Sequence, residues 1–265
     1  MDNDMVDNIV DGKGSELPAV DSAELFNRSQ RLLGQDVMRR LKDARLIVFG
    51  VGGVGSWTAE ALARTGVGHI DLVDADRVAV SNINRQAEAN VATIGEVKVE
   101  AMRNLLLACN PGLDIHIYNK EYNSETADDF DLESYDFVVD AIDSLSAKAL
   151  LILRAAACSR PVLISSMGAA LKLDPTKIAV AEFWKVEGCP LGAALRHRFR
   201  KASTFPRRKF KCVYSPELLK NRGEAADTDS AMSYNKKSVN GSLCHITAIF
   251  GMTIAGLIIR QIAEG

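Results

Sequence analysis

The side chains best suited to chemistry gather in DADRVAVSNINRQ, residues 74–86, with Lys98 soon after and DAID at residues 140–143. Arg85 offers a planar fork that can hold two phosphate oxygens, and Lys98 adds a second cation. The amides of Asn82, Asn84 and Gln86 can orient a polyphosphate or its metal. Asp143 suits a Mg²⁺ ion shared with phosphates, because that ion keeps waters and takes only one or two carboxylates. Taken singly, each residue has an ordinary reading as a surface arginine, a snorkelling lysine or a helix-capping aspartate. Together with Asp74 and Asp76 they describe a site for a triphosphate and a metal rather than for a pyrophosphate-bridged dinucleotide.

Just upstream, LIVFGVGGVGS at residues 46–56 carries Gly50, Gly52, Gly53 and Gly55, a G-x-G-x-x-G turn between an apolar run and a helical pattern. Such a turn aims backbone N–H groups and the positive end of a helix at an anion. By itself it does not separate a dinucleotide from ATP. Asp74 lies about 20 residues beyond the turn, where a carboxylate commonly binds ribose hydroxyls.

These residues need a scaffold, and the chain supplies one in order. LIVF (46–49) reads as a buried strand, residues 56–64 as a helix stopped by Gly66, and HIDLV (69–73) as a second strand. Strand, helix and strand within about 30 residues have the dimensions of a parallel βαβ unit. Residues 97–109 follow as a helix, 114–118 as a strand, FVVDAI (137–142) as a strand, 147–159 as a helix and VLIS (162–165) as a strand. KIAVAEF (177–183) alternates like a strand with one solvated face. The fold class is α/β: a Rossmann-like, doubly wound, mostly parallel sheet, with an irregular insertion over 185–240 before a buried C-terminal helix at 243–262.

Composition bounds the rest. The chain has 265 residues, 47% hydrophobic, which can supply a core for one domain over 25–265; residues 1–24, rich in Asp, Glu, Asn and Gly, read as a disordered extension. A net charge of −2 gives no global field for nucleic acid, so such a contact needs a local patch. Five cysteines without a C-x-x-C pair argue against a zinc ribbon or a disulfide framework and point to a reducing cytoplasm. The apolar run at 243–262 is interrupted by His245 and Arg260 and reads as core rather than as a membrane span.

The combination of GVGGVGSWTAEALARTGVG, the D-x-D at Asp74 and Asp76, SNINRQ, GEVKVE around Lys98, the NP at Asn110 and Pro111, and DAID resembles the ubiquitin-activating-like adenylyltransferases. The resemblance runs from about Phe26 through the last helix. It implies ribose contact by Asp74, phosphate contacts by Asn82, Asn84, Arg85, Gln86 and Lys98, Mg²⁺ at Asp143, and a homodimer in which Arg28 or Arg31 enters the partner's site; RLLG favours Arg31. It leaves open a monovalent cation and a cysteine-desulfurase-type sulfur partner. Members that activate sulfur-carrier proteins usually hold a zinc with two C-x-x-C pairs, and this chain has none. AIDS-x-x-x-K (141–148), DPTKI (174–178) and KCVYSPE (211–217) instead resemble the branch that dehydrates threonylcarbamoyladenosine in tRNA. There ATP converts the threonyl carboxylate into an acyl adenylate, and the substrate's own carbamoyl group closes the ring as AMP leaves.

RHRFRKASTFPRRKFK, residues 196–211, holds eight cations and no acid. Arg196, Arg198, Arg200, Lys201, Arg207, Arg208, Lys209 and Lys211 are the candidate tRNA contacts, with Phe199, Phe205 and Phe210 available to exposed bases. Cys244 is expected as a packed side chain inside the final helix, while Cys189 and Cys212 stay open as sulfur-handling positions. His197 and His245 receive no catalytic role.

Overall fold

A computed structural model describes residues 21–223 and 240–265. Among them the helices are α1 (Ser22–Leu25), α2 (Asn27–Leu33), α3 (Gln35–Asp43), α4 (Gly55–Thr65), α5 (Lys98–Cys109), α6 (Leu145–Ala155), α7 (Pro190–Ala202) and α8 (Cys244–Glu264). The strands are β1 (Arg45–Phe49), β2 (His69–Val73), β3 (Asp114–Tyr118), β4 (Phe137–Asp140), β5 (Val162–Ser166), β6 (Ala179–Glu182) and β7 (Lys211–Tyr214). The expected extension over 1–24 therefore lies outside the described residues as far as residue 20, and its last positions begin the short helix α1.

The strands form one sheet in the order β3-β2-β1-β4-β5-β7-β6, parallel throughout except for β6, which runs antiparallel to β7. After Arg45, β1 is a continuous apolar run because both its faces are covered. Leu46 and Val48 face a core with α4, α5 and α8, while Ile47 and Phe49 face a second core with α6 and α7. Strand order reverses between β1 and β4, where Phe49 pairs with Asp140. In doubly wound sheets that reversal opens a crevice at the carboxyl ends of the strands, which is where ligands bind.

Residues 185–240 depart from the expected irregular excursion. Their described part contains α7, capped by the Cys189 thiol and started by Pro190, and β7, which inserts between β5 and β6. Leu195 and Phe199, four residues apart, make the buried stripe of α7. Dense cations around those two residues hide the apolar period in the sequence.

α8 is 21 residues long and apolar enough, by length and composition, to cross a membrane. Here its Ile246, Phe250, Ile254, Ile258 and Ile262 lie in the core against α4, and Met252 is exposed.

Candidate active site

The two outer glycines of the turn have steric jobs. Gly50 sits at φ +90° with Ala141 O 2.8 Å from where a Cβ would stand, and a Cβ on Gly55 would lie 1.8 Å from Gly50 O. The chain can thus cross tightly from β1 into α4 only with glycine at both places. Gly50, Gly52 and Gly53 line a cavity of about 900 Å³ at the switch point, beside the N-terminal end of α4, where the first N–H groups lack intrahelical partners. Its volume is that of a nucleotide-sized ligand site.

Asp74, Asp76, Asn82, Arg85, Gln86, Lys98 and Asp143 line the same cavity, so most of the candidate residues converge. Asp74, at the end of β2, accepts the N–H of Val51 at 2.7 Å and that of Asp76 at 2.8 Å, tying the strand end to the glycine turn. Lys98 is buried at the start of α5 and pairs with Asp76 at 2.9 Å. Burial opposes its charge, but Asp74, Asp76 and Glu88 outweigh that cost and hold the ammonium above its ordinary pKa. The result is a cation kept charged in a largely dry setting.

Arg85 is held by its backbone. Its carbonyl accepts from Trp57 Nε1 at 3.0 Å and from Thr247 Oγ1 at 3.1 Å, while its guanidinium donates to Ser81 O and Asn84 Oδ1 within its own loop. Asn82 caps that loop by accepting the Ala79 N–H. Asn84 stands apart from the cavity lining and donates to Ser242 O at 3.2 Å. Gln86 is buried with its carbonyl oxygen unpartnered, so one acceptor in the lining awaits a donor.

The loop bearing Asp143 is fixed by a pair that sequence reasoning noted only as part of a motif. Lys148 and Asp140, both fully buried, meet at 2.8 Å; Lys148 also donates to Ile142 O, and Asp140 accepts from Ser165 Oγ at 2.6 Å. Burial pushes the Asp140 carboxyl up against the pull of Lys148 and Ser165. The spacing from Asp140 to Lys148 was a legible signal, but its meaning depends on the strand-to-helix turn that brings the two together.

Other groups were missed. Tyr122 lines the cavity with its hydroxyl unpartnered, and burial pushes its pKa up to about 12. Glu88 lies nearby, 1% exposed. Nothing in RQAEAN marks either burial or neighbour.

Several expected residues lie elsewhere. Arg28 and Arg31 are exposed on α2, outside the cavity lining. In the basic stretch, Phe199 and Phe210 are core residues rather than available faces, because the fold turns them beneath α7 and β7. Arg196 packs over the Phe183 ring, and Arg208 donates to the carbonyls of Ala155, Ser159 and Pro161. Arg198, Arg200, Lys201, Arg207, Lys209 and Lys211 are exposed. Cys244 is exposed too, as the first residue of α8, contrary to the expected packing inside the helix; the helix starts at that residue rather than before it. Cys189 and Cys212 are buried, and burial pushes the Cys212 thiol up, so neither presents a reactive sulfur.

A divalent ion finds a fitting donor set here. Asp143 lines the cavity, and among the described residues there is no cluster of three or more His, Cys, Asp or Glu side chains that would form an all-protein cage. That suits an ion held by one carboxylate and phosphates.

Residues 26–264 match the ThiF family. The chain is 37% identical over 248 residues to tRNA threonylcarbamoyladenosine dehydratase of Haemophilus influenzae, covering 90% of this chain and 93% of that one. It is 32% identical to the enzyme of the same name from Bacillus subtilis, covering 90% and 94%. Among solved structures, the Escherichia coli tRNA N6-threonylcarbamoyladenosine dehydratase TcdA in complex with ATP superposes with a TM-score of 0.79 at 31% identity, covering 91% of this chain and 95% of that one. On the glycine crossing, the cavity where the sheet reverses and a match along almost its whole length, the chain belongs to the ThiF family.

Proposed function

We propose that this protein uses ATP to dehydrate threonylcarbamoyladenosine in tRNA beside the anticodon, closing the threonyl side chain into a ring. The observation that carries this reading is the full-length similarity to dehydratases, one of them solved with ATP, combined with cations gathered at the sheet's switch point. Similarity through the second half of the chain favours the tRNA substrate over a sulfur-carrier protein.

The chemistry follows from the residues. A carboxylate oxygen is a poor leaving group; its attack on the α-phosphorus of ATP releases pyrophosphate and makes a mixed anhydride. The carbamoyl group then attacks the acyl carbon and AMP leaves, so no side-chain nucleophile is required. The glycine turn at Gly50, Gly52, Gly53 and Gly55 seats phosphate, and Asp74 takes the ribose hydroxyls. Lys98 and Arg85 stabilise negative charge as the α-phosphorus is attacked, Arg85 by swinging its fork from its own loop toward the cavity. Asp143 would hold Mg²⁺, which when bound neutralises phosphate charge; Asn82 and Gln86 steady the polyphosphate, while Asn84, outside the lining, braces the loop through Ser242 and Arg85.

In this reading the molecule works in the cytoplasm as a homodimer, with Arg31 of one protomer completing the other's site, and residues 25–265 act as one unit. The exposed cations from Arg198 to Lys211 meet tRNA phosphates. The decisive test is mass spectrometry of tRNA nucleosides after incubation with protein, ATP and Mg²⁺. Loss of one water from threonylcarbamoyladenosine is expected. No mass change, with pyrophosphate released only on adding a small sulfur-carrier protein, would replace this function with carrier activation.

A further inference from the structure

Beside the basic segment, Phe205, one of the rings named from the sequence, is joined by Trp184, which the sequence did not single out. Trp184, just after β6, is 38% exposed, and Phe205, past the end of α7, is 51% exposed; their ring centroids are 6.0 Å apart. Arg200 lies over the Trp184 ring, 5.6 Å from its centroid. Beneath them Phe183 is fully buried, stacked on Phe210 at 5.0 Å and edge-on to Trp184 at 5.1 Å, with Phe199 behind. This interior stack fixes the position of the outer pair. The backbone N–H of Trp184 donates to Glu182 Oε2 at 3.1 Å.

Charge selects the occupant. Residues 188–216 contain no Asp or Glu, and Arg198, Arg200, Lys201, Arg207, Lys209 and Lys211 are exposed within them. The chain as a whole has net charge −2, so this concentration is local and suits a polyanion. Exposed rings beside cations take unpaired bases by stacking, with phosphates held alongside. α7 also sets the distance. Leu191 in its first turn lines the cavity, and Arg200 lies nine residues on, about 14 Å along the helix axis.

We propose that Trp184 and Phe205, backed by Arg200, form a stacking platform for an unpaired base of the anticodon loop, and that α7 spaces this base from the one reacting in the cavity. The inference rests on the tRNA-dehydratase reading and adds to it the residues that grip single-stranded RNA. Neither ring lines the cavity, so the platform acts on binding and placement of RNA and not on ATP.

The test uses the full chain with Trp184→Ala, Trp184→Phe and Phe205→Ala. Each alanine variant is expected to weaken tRNA binding and raise KM for modified tRNA by roughly 5- to 100-fold. ATP affinity should stay unchanged, and Trp184→Phe should recover most of the loss. A fold defect in Trp184→Ala would appear as lost ATP binding, in which case Phe205→Ala, at an exposed loop position, decides. Wild-type affinity and KM for tRNA in Phe205→Ala, and in any folded Trp184→Ala, overturn the platform while leaving the activity standing, even if a protein partner is lost. Absence of dehydration by the wild-type chain instead overturns the parent reading, and the platform with it.

Discussion

Glu88 makes the stability of the fold depend on pH near neutrality. It is buried, and burial, helped by Asp74 and opposed by its own backbone N–H, Lys98 and Ser56, lifts its pKa to about 7. The folded chain therefore holds a proton that the unfolded chain releases near 4.5. Stability is full below that pH and declines as pH rises through about 7, by at most about 3 kcal/mol. Glu88→Gln should raise the urea midpoint relative to wild type at about pH 8.5, with the gap shrinking toward about pH 4; a deficit at both pH values would disprove this account. At the same scale, Arg85→Ala and Asp143→Ala are each expected to cut ATP-dependent cyclisation by about 100-fold or more, measured as pyrophosphate release on modified tRNA. Full turnover in either would remove that residue from the mechanism. The residues now lining the cavity were largely legible, because Asp74 and Asp143 stand at or just past strand ends while Arg85 and Lys98 follow in the segment beyond β2. Glu88 and Tyr122 were not, since their character comes from burial, which the sequence around them does not encode.

Helix α8 meets α4 through a missing side chain. A Cβ on Gly251 would stand 2.6 Å from Val54 O and 2.8 Å from Thr58 N, and Thr58 Oγ1 already donates to Gly251 O at 3.3 Å. Gly251→Ala must push the helices apart and should lower stability by about 1–3 kcal/mol. Because Val54 lines the cavity, ATP affinity should fall in the same variant; thermal melting with and without ATP reads both. An unchanged melting temperature would mean that the helices tolerate the methyl group. The parallel strands were readable as elements to within a residue or two, for apolar runs bounded by Gly and Asp leave little ambiguity. α7 and β7 were not. In α7 the two large buried side chains, Leu195 and Phe199, are outnumbered by cations, and β7 is four residues long, short enough that only its pairing with β5 and β6 makes it a strand.

For the whole molecule, the proposed exchange of Arg31 between protomers predicts complementation. Arg31→Ala and Arg85→Ala chains, each inactive alone, should on random mixing recover about a quarter of wild-type activity, because half the dimers are mixed and each has one intact site. No recovery after subunit exchange would place Arg31 outside the partner's site. Charge distribution gives a second test. Neutralising exposed Lys201, Arg207 and Lys209 together should reduce the salt dependence of tRNA binding by a slope of about 2, since each phosphate contact on a single strand contributes about 0.7. An unaltered slope would move the RNA to another face. The architecture also orders events in time. The hydroxyl of Thr247 clasps the carbonyl of Arg85 across 162 positions of chain, so a nascent polypeptide halted short of its last helix lacks that clasp. Capture of the nucleotide then waits for the synthesis of α8, and ribosome-tethered chains ending before Cys244 should not be retained on immobilised ATP.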